Sequence, residues 1–198
     1  MEDRDKRRIG EQLEPGDRPK APGRLELLQR FVNTHNHDFP EDWDRLGSAG
    51  KATAWLREKG LLAGGGHVSE AEAEQLRELR EALRALIVAG RDERPDPAAV
   101  ATIAAAAEAA ALTVVLDAEG RTSLGSSTGG AAGATASLLG ILHEAQQTGG
   151  WDRMKACRRC EYAFYDRSKN RSAVWCAMSI CGNRTKNRAY YRRRRGAA

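Results

Sequence analysis

The residues best suited to chemistry are four cysteines, Cys157, Cys160, Cys176 and Cys181, the only ones in the 198-residue chain. They form two close pairs, Cys-x2-Cys and Cys-x4-Cys, with fifteen residues between them. Tetrahedral zinc asks for this pattern, because each pair wraps one edge of the ion while the intervening chain folds back. Four thiolates close the coordination sphere and leave no position for water or substrate. The site is therefore read as one structural zinc ion, whose binding supplies folding energy to a segment too small to fold unaided. Redox pairs, disulfides and an iron–sulfur cluster are the competing uses of four cysteines. The N-terminal Met1 to Arg8 mixes acids and bases with no apolar stretch behind it, unlike a secretory signal. A cytoplasmic setting is expected, and it favours zinc.

Between the pairs, Glu161 to Asp166 reads as a strand, Ser168-Lys169-Asn170 as a turn and Ser172 to Trp175 as the return strand. Tyr162, Phe164 and Trp175 alternate along these strands and suit a small core. A helix is expected to follow Cys181, with Arg184, Arg188, Arg192 and Arg195 stepping along one face. Knuckle, hairpin and helix together would make a treble-clef-like zinc finger.

Such a helix has the chemistry of a nucleic-acid reader. Arginine can bridge guanine and asparagine adenine with two hydrogen bonds each, which makes Asn183, Arg184, Asn187 and Arg188 the candidate base contacts. Lys186, Arg192, Arg193, Arg194 and Arg195 suit phosphates, which position a protein without reading sequence. Arg184 has an equal alternative as a structural partner of Asp166, and the terminal arginines have one as a solvated tail.

Charge divides along the same line. Residues 151–198 hold 14 Lys and Arg against 3 Asp and Glu, a net +11, whereas residues 1–150 carry −6. Halves of opposite sign have different partners, and solvation alone is a weak reason for so concentrated a positive charge. A boundary is expected near Gly149-Gly150. No apolar run approaches the ~18 residues of a membrane span, so no membrane partner is expected.

The elements that must position the finger are legible upstream. Residues 1–23, with Pro15, Pro19 and Pro22 among charges, read as a disordered arm. Leu25, Leu28, Phe31 and Val32 share one helical face. Ser48 can cap a second helix that buries Ala52, Trp55 and Leu56 and ends at Gly60. Ser69-Glu70-Ala71-Glu72 is a capping box ahead of Leu76, Leu79, Leu83, Leu86 and Ile87. Asp96-Pro97 opens Ala98 to Ala111, a thin helix in which ten of fourteen residues are alanine, which must pack close to a neighbour. Leu112 to Leu116 and Arg121 to Ser126 can form a hairpin, and Ala131 to Gln147 returns to helix. The fold class is mostly α (α+β): an α-helical N-terminal domain with a small β-hairpin over residues 24–150, then the finger over 151–198.

Polar residues of the helical domain invite catalytic readings, among them Asn33, Thr34, His35, His37, His67 and His143. His35 and His37 lack further zinc ligands nearby, so capping or exposure suits them better. Gly64-Gly65-Gly66 and Gly129-Gly130 lack the strand, spacing and lysine of a phosphate-binding loop. No catalytic residue is assigned and no enzymatic activity is expected.

The run Tyr165-Asp166-Arg167-Ser168, Trp175-Cys176-Ala177-Met178 and Cys181-Gly182-Asn183-Arg184 with Lys186 resembles the CGNR zinc finger family. Upstream, Phe31-Val32-Asn33-Thr34, Ala54-Trp55-Leu56, Gly60-Leu61-Leu62 and Leu76-Arg77-Glu78-Leu79-Arg80 resemble the ABATE domain, an α-rich bacterial domain that precedes this finger in stress-induced transcriptional regulators. The resemblance implies a zinc-containing, DNA-binding bacterial regulator in which Cys157, Cys160, Cys176 and Cys181 hold the metal. Only Arg158-Arg159 separate the first pair, which relatives space more widely, and Ala173-Val174 stand where relatives often carry arginines. The second departure removes possible phosphate contacts from the hairpin. The expected function is zinc-dependent DNA binding by the finger, on the nucleoid, with the helical domain sensing a small-molecule ligand or forming a homodimer. The alternatives are docking on transcription machinery, binding RNA, and a ligand-binding or enzymatic helical domain with Asn33, Thr34 and His35 near a pocket.

Overall fold

The computed structural model describes residues 18–36, 40–90, 94–183, 185 and 186. Five α-helices dominate: α1 (Leu25–Val32), α2 (Ala49–Glu58), α3 (Glu70–Ala89), α4 (Pro97–Ala109) and α5 (Gly130–Gln147). Two antiparallel pairs accompany them, β1 (Thr113–Leu116) with β2 (Thr122–Gly125), and β3 (Met154–Ala156) with β4 (Ala163–Tyr165). The fold is mostly α with some β. No helix among the described residues is long and apolar enough to cross a membrane.

Helix starts follow local chemistry. Ser48 accepts a hydrogen bond from the Lys51 amide, Ser69 and Glu72 close a reciprocal capping box, and Asp96 accepts from the Ala98 amide ahead of α4. The apolar faces of α1, α2, α3 and α5 meet in one core that includes Leu28, Phe31, Leu56, Leu76, Leu83, Leu138 and Ile141. The rings of Phe31 and Trp55 lie 5.8 Å apart. The β2 strand crosses α5 at Gly140, where a Cβ would stand 2.6 Å from the Leu124 carbonyl oxygen, so the approach requires glycine. The alanine-rich α4 packs against α3 but buries only Ala99. It leaves an open cleft of about 480 Å³ against α3 and α5.

The finger does not stand apart from this core. Met154 of β3 and Ala163 of β4 are buried in the same cluster as the helices. Residues 18–23, expected in a disordered arm, are placed here against both parts. Arg18 lies over the Tyr162 ring at 4.2 Å, the Pro19 carbonyl accepts from the Tyr165 amide at 3.2 Å, and the Ala21 amide donates to Gln29 Oε1 at 2.7 Å. Periodicity carries no trace of this, because the ordering comes from contacts with residues about 140 positions away. Residues 1–17 lie outside the described residues.

Candidate metal centre and nucleic-acid interface

The sequence places the return strand of the finger after the first cysteine pair, at Ser172 to Trp175. The structure pairs β4 with β3 instead, so Cys157 and Cys160 sit in the loop that joins the two strands. Residues 172–175 form no strand, although the Val174 carbonyl accepts from the Arg158 amide at 3.0 Å. Met154-Lys155-Ala156 was too short to signal a strand by alternation, whereas its register opposite Ala163-Phe164-Tyr165 makes it one.

Local geometry tightens the loop around the thiols. The Cys157 amide donates to the Tyr162 carbonyl at 3.0 Å and the Glu161 amide to the Cys157 carbonyl at 2.8 Å. Glu161 turns the chain at φ +54°, in the left-handed region that non-glycine residues rarely enter. The second pair is set by a wide helical turn, Met178–Gly182, in which both the Cys181 and Gly182 amides donate to the Ala177 carbonyl. Gly182 is covered by Met178 and Trp175.

All four cysteines are buried, and their sulfurs lie within 4.8 Å of one another. Three edges of the cluster measure 3.8 Å (Cys160 to Cys176), 3.6 Å (Cys176 to Cys181) and 3.5 Å (Cys181 to Cys160). A tetrahedron built on zinc–sulfur bonds of ~2.3 Å has edges of about 3.8 Å, whereas a disulfide needs ~2.05 Å. The cysteines are free and their spacing fits one ion. Charge agrees with geometry. Hydrogen bonding from Cys160 and then Cys176 pulls the Cys157 thiol well below its ordinary range, while the interaction with Cys157 pushes Cys160 up and Cys176 up to about 12. By themselves Cys157, Cys160 and Cys176 favour one thiolate among the three, and a divalent cation is what lets the others ionise. Arg159 Nη1 adds a donor 3.6 Å from Cys181 Sγ. The cluster thus holds one structural zinc, which ties the β3–β4 loop to the turn after Ala177.

Behind the metal centre, Tyr162 and Phe164 are buried with the cysteines, and Ala173 and Trp175 pack on them as the finger's own small core. Asp166, only 1 % exposed, organises the loop that follows. Its carboxylate accepts from the Ser168 amide at 2.9 Å, from the Ala173 amide at 3.0 Å and from Lys155 Nζ at 3.0 Å. Burial alone would raise this carboxyl, but those bonds outweigh it and hold it at about 2. The ionised group therefore favours the folded finger above about pH 4, and that contribution fades as pH falls towards 2. Asp166→Asn is expected to remove about 2 kcal/mol near neutral pH, because one amide would face the new NH2 group. Unfolding midpoints of both proteins at neutral and acid pH check this. Protonation of the zinc thiolates acts on both alike, so a gap that stays constant with pH would refute the role given to Asp166.

The helical domain holds the finger through buried polar side chains. Asn33 donates to the Ala163 carbonyl at 2.8 Å and accepts from the Ala163 amide at 2.9 Å, occupying the outer edge of β4 like a neighbouring strand. Gln29 adds bonds to the Ala163 and Pro19 carbonyls. Arg84 reaches the Val32 carbonyl at 2.6 Å, the His35 carbonyl at 2.8 Å and the Glu161 carbonyl at 3.2 Å. Arg80 pairs with Asp44 through two bonds of 2.6 and 2.9 Å and donates to Thr34 Oγ1. Glu81 bonds both arginines; burial would push its carboxyl up, yet Arg84 and Arg80 hold it below the usual range.

Asn33, Thr34 and the His35 backbone, considered as a possible pocket, therefore brace the two parts of the molecule. The bracing arginines were missed in the sequence. Their signal is that Arg80 and Arg84 fall in register with Leu76, Leu83 and Ile87, inside an apolar stripe where a charge needs a buried partner.

Of the candidate nucleic-acid contacts, Asn183 and Lys186 are exposed just beyond Cys181, where Thr185 caps back onto the Cys181 carbonyl at 2.9 Å. Arg184, Asn187, Arg188, Arg192, Arg193, Arg194 and Arg195 lie outside the described residues, as does His37. Asp166 has Lys155 and two amides as partners, whatever Arg184 does. Exposed cations not singled out in the sequence, Arg158, Arg167, Lys169 and Arg171, extend the positive surface around the finger.

Comparison with protein families agrees with this geometry. Residues 25–146 match ABATE, described as "Putative stress-induced transcription regulator", and residues 153–194 match the CGNR zinc finger. No curated protein matches the sequence. The ABATE match covers more than half of the sequence and the finger match spans all four cysteines, and this chain therefore belongs to the ABATE family and carries a C-terminal CGNR zinc finger.

Proposed function

We propose that the protein is a transcriptional regulator whose zinc finger binds duplex DNA, while the helical domain senses a signal or brings copies together. The observation that carries this reading is the net charge of +11 in residues 151–198, the same stretch that carries the four-thiolate site. Asn183, Arg184, Asn187 and Arg188 are assigned to bases. Lys186 and Arg192 to Arg195 are assigned to phosphates, together with Arg158 from the zinc loop. Such a protein works in the cytoplasm, on the nucleoid. The clamp at Ala163 and Glu161 supports a regulatory role, because any movement of α1 or α3 must reach the metal loop through it.

Selection of bound sequences from a random duplex library by the zinc-loaded protein tests the reading, followed by titration at several salt concentrations. An enriched motif is expected. About six phosphate contacts would weaken binding roughly 10³-fold between low and physiological salt. Asn187→Ala is expected to change preference among sequences, whereas Arg192→Ala weakens all of them alike. Affinity that ignores salt, or tight binding to an acidic protein with weak, unselective binding to DNA, would overturn the proposal.

A further inference from the structure

Residues 18–21 close over the metal centre from the other end of the sequence. Arg18 is only 5 % exposed, and its guanidinium lies 4.2 Å from the centre of the Tyr162 ring, which is itself buried among the four cysteines. Arg18 also hydrogen-bonds Cys176 and draws that thiol towards its ionised form, against the larger upward push from Cys157. The backbone beside it is pinned to both parts of the molecule. The Pro19 carbonyl accepts from the Tyr165 amide and from Gln29 Nε2, the Lys20 carbonyl accepts from Arg167 Nη2 at 2.8 Å, and the Ala21 amide donates to Gln29 Oε1. Proline at 19 disfavours helical backbone at Arg18, so α1 does not run back through this segment.

Charge explains why an arginine belongs there. Four thiolates around one divalent cation carry a formal charge of −2, and burying that charge is costly unless cations or donors offset it. Arg159 supplies one cation, with Nη1 3.6 Å from Cys181 Sγ, and Arg18 supplies a second beside Cys176. We propose that Arg18 and Arg159 are the charge partners of the zinc thiolates, so that the segment ahead of α1 sets how firmly the finger keeps its metal. A flat guanidinium can stack on Tyr162 and donate to sulfur at the same time, which an ammonium group does less well. Zinc retention is then a property of both ends of the chain. Whatever draws residues 18–21 away from Tyr165 and Gln29 takes a cation from Cys176 and loosens the ion.

This inference does not rest on the DNA-binding reading, since metal release is measured without nucleic acid. The full-length, zinc-loaded protein is mixed with an excess of a colorimetric chelator, and the rate of zinc transfer is followed. Arg18→Met keeps an apolar stem over Tyr162 but removes the cation, and release should become at least about tenfold faster. Arg18→Lys keeps the charge without the fork and should restore part of the difference. Arg167→Met removes a bond to the same segment, at Lys20 rather than at a sulfur, and its rate should stay close to that of the parent. Cobalt in place of zinc gives a second readout on the folded protein. Loss of a donor to sulfur should move the thiolate-to-cobalt charge-transfer band to longer wavelength in Arg18→Met and leave it in place in Arg167→Met. Release accelerated less than about tenfold by Arg18→Met, no recovery with lysine, an equal effect of Arg167→Met, or an unmoved cobalt band in Arg18→Met would each overturn the inference.

Discussion

Cys176→Ala is expected to unfold the finger and to loosen the helical domain with it. Structural zinc contributes on the order of 10 kcal/mol to the fold of small modules, and a site of three thiolates loses much of that. Here the consequences spread, because Met154 and Ala163 belong to the main core and Ala163 is the backbone group on which Asn33 and Gln29 close. Loss of the metal would free the β3–β4 loop, open β4, and take the Ala163 carbonyl from two buried amide side chains, of which Gln29 keeps the Pro19 carbonyl. Thermal unfolding followed by circular dichroism, with zinc content measured on the same samples, should show a large fall in midpoint and less than one zinc per chain. A chelator should produce the same fall in the parent. If the helical domain unfolds at an unchanged temperature after zinc is removed, the two parts are independent and the shared core has been overvalued.

Arg84→Ala should be the most damaging single change outside the metal site. The guanidinium is almost fully buried, its side chain 4 % exposed, and it joins the carbonyls of Val32, His35 and Glu161 with the Glu81 carboxylate. Removing it takes a buried charged donor from three carbonyls and one cation from Glu81, a loss of about 3–5 kcal/mol. Arg84→Lys keeps the charge but not the fork that spans α1 and the zinc loop, so it should recover only part of that. Denaturant midpoints of the three proteins, in zinc, check the order parent, lysine, alanine. A change below about 1 kcal/mol for alanine would mean that water replaces the arginine and that the zinc loop does not depend on α3.

Both experiments test links that no local pattern announced. What the sequence determined by itself was local or chemical. Ser48, the Ser69–Glu72 box and Asp96-Pro97 start helices because a side-chain oxygen meets an amide two or three residues away, and that event is written in adjacent letters. The zinc cluster was equally legible, since four thiols in two close pairs have one economical geometry, and the charge split follows from composition alone. Tertiary structure decided the rest. Met154–Ala156 becomes a strand only because β4 lies beside it, and Ser172–Trp175 fails to become one because its amide and carbonyl partners belong to the zinc loop and to Asp166. In the sequence Arg18 falls in an expected arm and Asn33 near a possible pocket, while Arg80 and Arg84 carry no assigned role. They are buried because their partners are backbone carbonyls, carboxylates and rings brought from distant positions, and the free energy of burying a polar group depends on a partner that sequence spacing does not reveal.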